Sequence, residues 1–280
     1  MRLLLIQPYT FAESSALYVP PADASREARL INFEDYGHLL QGLDWDVHPG
    51  PVGPFGDSFV ETREEFAIVG ALRLPIVREV CASGRWDAVV LLGGGDPGFI
   101  EAREIGQRFG VPVVACAHAQ MVVAGMLGHR FSVLDVTEVH NAQMAELVVR
   151  YRMVEHCASV RCIDAPLPRP SRPGAGNVQS AKAVVAAGGT SEWLERAVAE
   201  AVAAIEEDGA ESLILGCSAM YWMRPHIERR LREMGWEAPV LEGYRCAIEM
   251  ARLLANLGVS VSGVAFPRDD AKRVRRRKRV

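Results

Sequence analysis

The chain has 280 residues, 49% of them hydrophobic and 24% charged, with a formal net charge of −4. These proportions exclude a disordered or fibrous chain and leave room for one large domain or two modest lobes with a real core. Its six cysteines (81, 116, 157, 162, 217 and 246) form no C-x-x-C pair, and its histidines show no H-x-x-x-H spacing. The pattern gives no metal site and fits reduced thiols in a cytoplasmic protein.

The opening MRLLLIQPYTF holds four consecutive aliphatic residues before Gln7 and Pro8. That run is too short for a signal core or a membrane span, and it predicts a buried strand over 3–6. Apolar runs predict further strands at 87–92, 112–117, 130–136, 212–217 and 238–243, alternating with helices over 101–109, 118–127, 138–154, 190–207, 224–234 and 244–257. Continuous Val/Ile/Leu runs suit strands covered on both faces, so the class is α/β with mostly parallel sheets. The stretch PLPRPSRPGAGN (166–177) reads as an irregular loop or lid. Thr190 is expected to cap the helix that follows it, which Gly209 then terminates. The tail over 269–280 carries seven basic and two acidic residues without interleaved aromatics, which reads as a disordered extension and argues against nucleic-acid binding.

DAVVLLG (87–93) and ESLILGC (211–217) share one plan, and each is followed by a helix and a short strand led by proline. This internal duplication predicts two pseudo-symmetric lobes with a cleft between them, and it sets Gly93 opposite Cys217. The expected division is 1–117 with 222–268 in the first lobe, 118–221 in the second, and 269–280 as the tail.

Glycines 93, 95 and 98 formally spell G-x-G-x-x-G. A dinucleotide loop also needs a carboxylate at the end of the next strand, and VVACAHA supplies none, while Pro97 interrupts the loop. The glycines are therefore read as a tight strand-to-helix turn, with Asp96 capping the helix after it.

GGDPGFIEARE (94–104), VPVVACAHA (111–119), GHRFSVLDVT (128–137), EEDGAESLILGCSAM (206–220) and APVLEGYRCAIEMARLLANLG (238–258) together resemble the aspartate/glutamate/hydantoin racemase superfamily, and hydantoin racemases most. The resemblance implies two α/β lobes that each offer one cysteine at the cleft, a cofactor-independent proton transfer at the carbon α to a carboxyl or carbonyl group, and a homo-oligomer. It makes Cys217 the second of the two cysteines, at a strand end where a helix N-terminus favours a thiolate and an oxyanion. The first is replaced by Gly93, as in arylmalonate decarboxylase, so decarboxylation or one-sided isomerisation is expected, acting through an enediolate-like intermediate.

By the same resemblance the substrate is a carboxylate or a cyclic imide or ureide. Gln7, Tyr9 and Thr10 stand in the carboxylate-binding turn, and Asp135 and Thr137 stand where hydroxyl residues are usual. Gly93, Gly94, Gly95, Asp96, Gly216 and Ser218 complete the expected substrate-binding set, with backbone N–H groups of 94, 95 and 218 holding the enediolate oxygen. A racemase or epimerase remains the alternative if His118, Asp96 or Cys116 replaces the missing thiol, with His118 the best suited. A non-catalytic protein that binds a small acid is the third reading.

Overall fold

The computed structural model describes residues 1–11, 13, 25–30, 32–53, 60–169 and 176–275. Two four-stranded sheets, parallel throughout, carry the fold. The first contains β1 (Arg2–Ile6), β2 (Asp44–His48), β3 (Ala88–Leu91) and β4 (Val113–Ala115) in the order β2-β1-β3-β4. The second repeats that order as β6-β5-β7-β8, with β5 (Phe131–Asp135), β6 (Cys157–Cys162), β7 (Ser212–Leu215) and β8 (Val240–Leu241).

In chain order the helices are α1 (Phe33–Tyr36), α2 (Arg63–Ala82), α3 (Phe99–Phe109), α4 (Cys116–Leu127), α5 (Glu138–Arg150), α6 (Val178–Ala186), α7 (Glu192–Glu206), α8 (Arg224–Glu233) and α9 (Gly243–Asn256). Among the described residues none is long and apolar enough to cross a membrane. One buried apolar cluster runs from Leu3, Leu5 and Val90 in the first sheet to Leu134, Leu213 and Leu215 in the second, so the two lobes share a core.

The duplication is realised strand for strand, but the lobe boundary moves. Residues 222–241 were expected in the first lobe; β8 instead pairs with β7, and α8 packs on α7 and β8. The chain returns to the first sheet only with α9, which packs on α4, β3 and β4. Helix α7 starts at Glu192 after Ser191, whose side chain makes no capping bond, so Thr190 is not its cap. Residues 170–175 of the expected lid and 276–280 of the tail lie outside the described residues.

The lobes meet backbone to backbone. A methyl group on Gly94 would lie 1.9 Å from the Gly216 carbonyl oxygen and 2.9 Å from Cys217 Cα. Gly94→Ala is therefore expected to lower stability by about 3 kcal/mol, the upper end of ordinary overpacking. Gly125→Ala, in a helix position where a methyl group would meet nothing within 4 Å, is expected to raise it by about 0.5–1 kcal/mol. Urea denaturation of both variants checks the pair, and equal behaviour would contradict the tight contact.

Candidate active site

In each sheet the strand order reverses between its two inner strands, and ligands of open α/β sheets bind beyond the carboxyl ends at such points. Ile6 pairs with Leu91 at the end of β1 and β3, and Leu134 pairs with Leu215 at the end of β5 and β7. The Leu92 N–H then donates to the Ile6 carbonyl at 2.8 Å, and the Gly216 N–H donates to the Leu134 carbonyl at 2.8 Å. One residue further, Gly93 and Cys217 occupy equivalent places, as do Gln7 and Asp135.

Between these ends lies a cavity of about 230 Å³. Of the expected site residues, Gln7, Tyr9, Thr10, Gly93, Gly94, Cys217 and Ser218 line it. Arg73 fixes the first-lobe side. Its buried guanidinium donates to the carbonyls of Ile6 (2.7 Å), Leu92 (3.2 Å) and Pro97 (3.5 Å), which ties α2 to the ends of β1 and β3. Burial pulls the Arg73 pKa down to about 10, against the attraction of Cys116 and Asp96.

The remaining expected residues serve the frame. Asp96 does not cap α3, whose N-cap is Gly98. With φ at 46° it turns its carboxylate to the start of α4, accepting from the N–H groups of Ala117 (2.8 Å) and His118 (2.8 Å) and from the Tyr151 hydroxyl (3.0 Å). The positive end of α4 suits that charge. Burial nevertheless lifts the Asp96 pKa to about 6, opposed by those hydrogen bonds. His118 opens into a different hollow beside Phe99, Arg103 and Met250, and burial with the nearby Arg103 charge lowers its pKa to about 4.

Cys116 is buried, its sulfur 3.5 Å from the Leu91 carbonyl, and burial pushes its thiol well above the ordinary range. None of these three replacement bases lines the cleft. Thr137 caps α5 by accepting from the His140 N–H at 3.3 Å, and the Gly95 carbonyl accepts from Gln143 at 3.0 Å. Gly216 makes room for Asp135: a methyl group there would sit 2.6 Å from the carboxyl carbon.

Asp135 does not face the cavity; it holds a residue that does. One carboxylate oxygen accepts from the Val136 N–H at 2.7 Å, and the other meets His140 Nδ1 at 2.6 Å. Asp135 is fully buried, and His140, in the first turn of α5, lines the cavity together with Cys217. Burial opposes the imidazolium, but the Asp135 charge, then Cys217 and the hydrogen bonds to both, raise the His140 pKa well above the ordinary histidine value. The Asp135–His140 pair and the Cys217 thiol thus stand on one wall of the site, contributed by the second lobe. Phe66 of the first lobe packs edge-on against the His140 ring, centroids 5.2 Å apart. Opposite, burial and the Cys217 charge raise the Tyr9 phenol, so it stays protonated.

His140 escaped the sequence reading because its meaning lies in a strand-end carboxylate and a first-turn histidine five residues apart, which only the β5–α5 turn brings together. Arg29, Phe66 and Leu167 also line the cavity without having been singled out. The described part of the expected lid crosses between lobes. Arg169 makes a two-pronged ion pair with Glu65 (2.9 and 2.8 Å) and reaches Glu61 at 2.7 Å.

The family model described as Asp/Glu/Hydantoin racemase matches residues 53–251. A hydantoin racemase from Rhizobium meliloti is 30% identical over 186 residues, covering 65% of this chain and 67% of that enzyme. The structure of an allantoin racemase from Klebsiella pneumoniae is 26% identical, with a TM-score of 0.66, covering 96% of this chain and 94% of its own. Unliganded arylmalonate decarboxylase, 15% identical, with 91% of this chain and 92% of its own covered, has a TM-score of 0.52, a likeness of fold alone.

Removing His140 leaves Asp135 buried and unpaired, so His140→Gln is expected to cost about 3–5 kcal/mol near pH 6. A raised folded-state pKa gives stability that is full below the unfolded histidine value, about 6.5, and is lost as pH rises through the folded one. The gap between wild type and His140→Gln should therefore narrow with rising pH in urea denaturation. Histidine ¹⁵N shifts should show His118 titrating near 4 while His140 stays protonated through neutrality. A neutral His140 at pH 7 would contradict the assignment.

Proposed function

Since the chain belongs to the Asp/Glu/hydantoin racemase family, we propose that it is an enzyme acting without a cofactor at the carbon α to a carboxylate or carbonyl group of a small molecule, through an enediolate-like intermediate that Cys217 protonates on one face. One observation carries this reading: the cleft's thiol, imidazole and carboxylate all belong to the second lobe, while the equivalent first-lobe places hold Gly93 and Gln7.

In decarboxylation, the bond to the departing carboxylate breaks and its electron pair becomes the enediolate. The Cys217 S–H then gives its proton to carbon. Gly94 and Ser218 line the cavity, and in this reading their backbone N–H groups are the donors for the enediolate oxygen. The His140 imidazolium faces the thiolate left behind, returns a proton to it, and is itself reprotonated from solvent. In one-sided isomerisation the Cys217 thiolate removes a proton from one carbon and returns it, on the same face, to another carbon of the delocalised anion. Racemisation, the reaction named for the hydantoin racemase relatives, also needs proton transfer on the opposite face. Tyr9 is the titratable first-lobe side chain among the expected lining residues, and its raised pKa makes it a poor base.

Cys217→Ala is expected to lower turnover of a carbon-acid substrate by about 10³-fold, within the usual range for loss of a positioned acid. His140→Asn should lower it less. In D2O the wild type should place deuterium on one face, with carbon dioxide released in step for a decarboxylase. Deuterium washout with loss of optical rotation would replace this reading by racemisation. Undiminished activity in Cys217→Ala would end it.

A further inference from the structure

One fully buried and one part-buried arginine stand near the cleft, and their terminal nitrogens are used differently. Arg73 spends its guanidinium on three backbone carbonyls that hold the strand ends. Arg29 lines the cavity itself, with 17% of its side chain exposed. Its Nε, like that of Arg73, is buried without an acceptor. Among the described residues the rest of its fork meets the Val47 carbonyl at 3.4 Å, a long hydrogen bond, and the half-exposed Asp46 carboxylate at 4.0 Å.

A guanidinium carries five donors in a rigid fork that matches a carboxylate. With marginal partners at its terminal nitrogens and part of its side chain still accessible, the Arg29 fork is poised for an anion. His140, the other cation of the cleft, is already committed to Asp135. The opposing walls are apolar: Tyr9, Phe11, Leu30, Val60, Phe66 and Leu167. Of the acidic side chains near the entrance, Glu61 and Glu65 are taken by Arg169.

We infer that Arg29 anchors an anionic group of the substrate, and that the substrate is a small organic acid bearing an aromatic or branched apolar group. This rests on the reading of the cleft as the substrate site, and it selects the carboxylate over a neutral cyclic imide or ureide. The anchor belongs to the first lobe and the thiol to the second, so the bound acid is held from one side and protonated from the other.

The test uses benzoate and its neutral isostere benzamide as probes, by titration calorimetry on the full chain. Wild type should bind benzoate at least tenfold more tightly than benzamide. Arg29→Met should remove that preference and leave benzamide binding within twofold, and Arg29→Lys should restore part of it. Circular dichroism and urea midpoints confirm that the variants are folded. Equal binding of both probes by wild type, or an unchanged preference in Arg29→Met, would overturn the anchor. The same titration on Cys217→Ser separates the two claims. If benzoate preference persists there while Cys217 proves dispensable for turnover, the anchor stands and the proton-transfer reading falls; loss of the preference in Arg29→Met alone leaves the thiol chemistry to its own assay.

Discussion

Gly94 and Gly216 approach so closely that neither lobe can shift without the other, and the geometry of the cleft follows from that contact. Gly216 follows directly on β7 and Gly94 lies in the turn three residues past β3, and the two strand ends are held by hydrogen bonds of the same length, from Leu92 to Ile6 and from Gly216 to Leu134. Two parallel sheets of like order thereby point their carboxyl ends at a common gap. Close packing at such a point transmits strain instead of absorbing it. The thiol of Cys217, one residue past Gly216, consequently has a fixed place relative to the first-lobe turn. The shared apolar core and the Arg169 clamp to Glu61 and Glu65 act in the same direction.

Charge inside this frame is tolerated only where partners are supplied. Arg73 is fully buried on three carbonyls, and Asp96 on two helix N–H groups and a phenol. Glu242 caps α9 through the N–H groups of Tyr244 and Arg245, although burial still lifts its pKa to about 7. These groups hold turns and helix starts, and removing either side of such a contact leaves an uncompensated charge. Asp135 with His140 obeys the same rule, but this pair differs in opening onto the cavity. The Cys217 thiol lines the same cavity.

What could be read from the sequence was what lies in the middle of each sheet. β1, β3, β5 and β7 are buried on both faces and appear as continuous aliphatic runs. The edge strands β4 and β8 were still legible as short apolar runs led by proline, but the other two edges, β2 and β6, were missed for the complementary reason. β2 alternates exposed and buried residues through DWDVH, and β6 is half-buried throughout CASVRC, so neither shows such a run. Helix α2 was hidden by Pro75 in its interior, despite a capping box between Thr62 and Glu65. At the site, strand-end residues such as Cys217 and Gly93 were legible from the duplication. Side-chain direction was not: Asp96 looks like a cap for the helix after it, yet the left-handed backbone turns it to a different helix. Arg29 and His140 gain their meaning only from neighbours distant in sequence or across a turn.

The symmetry of the scaffold sharpens the difference between its two faces. Gly93 lacks the thiol found at its counterpart, Cys217, and its φ of 101° is one that residues with a side chain rarely adopt. A Cβ there would also stand 3.0 Å from the ring of Pro8. The first lobe therefore departs from a two-thiol plan in backbone shape as well as in residue identity, and restoring a cysteine would not by itself restore a mirror image. Gln7 occupies the place of Asp135, so even a thiol at 93 would lack a carboxylate-backed imidazole. The two lobes thus present unlike residues at equivalent strand ends: the repeat fixes where those ends meet, with Cys217 and the Asp135–His140 pair on one side and Gly93 and Gln7 on the other.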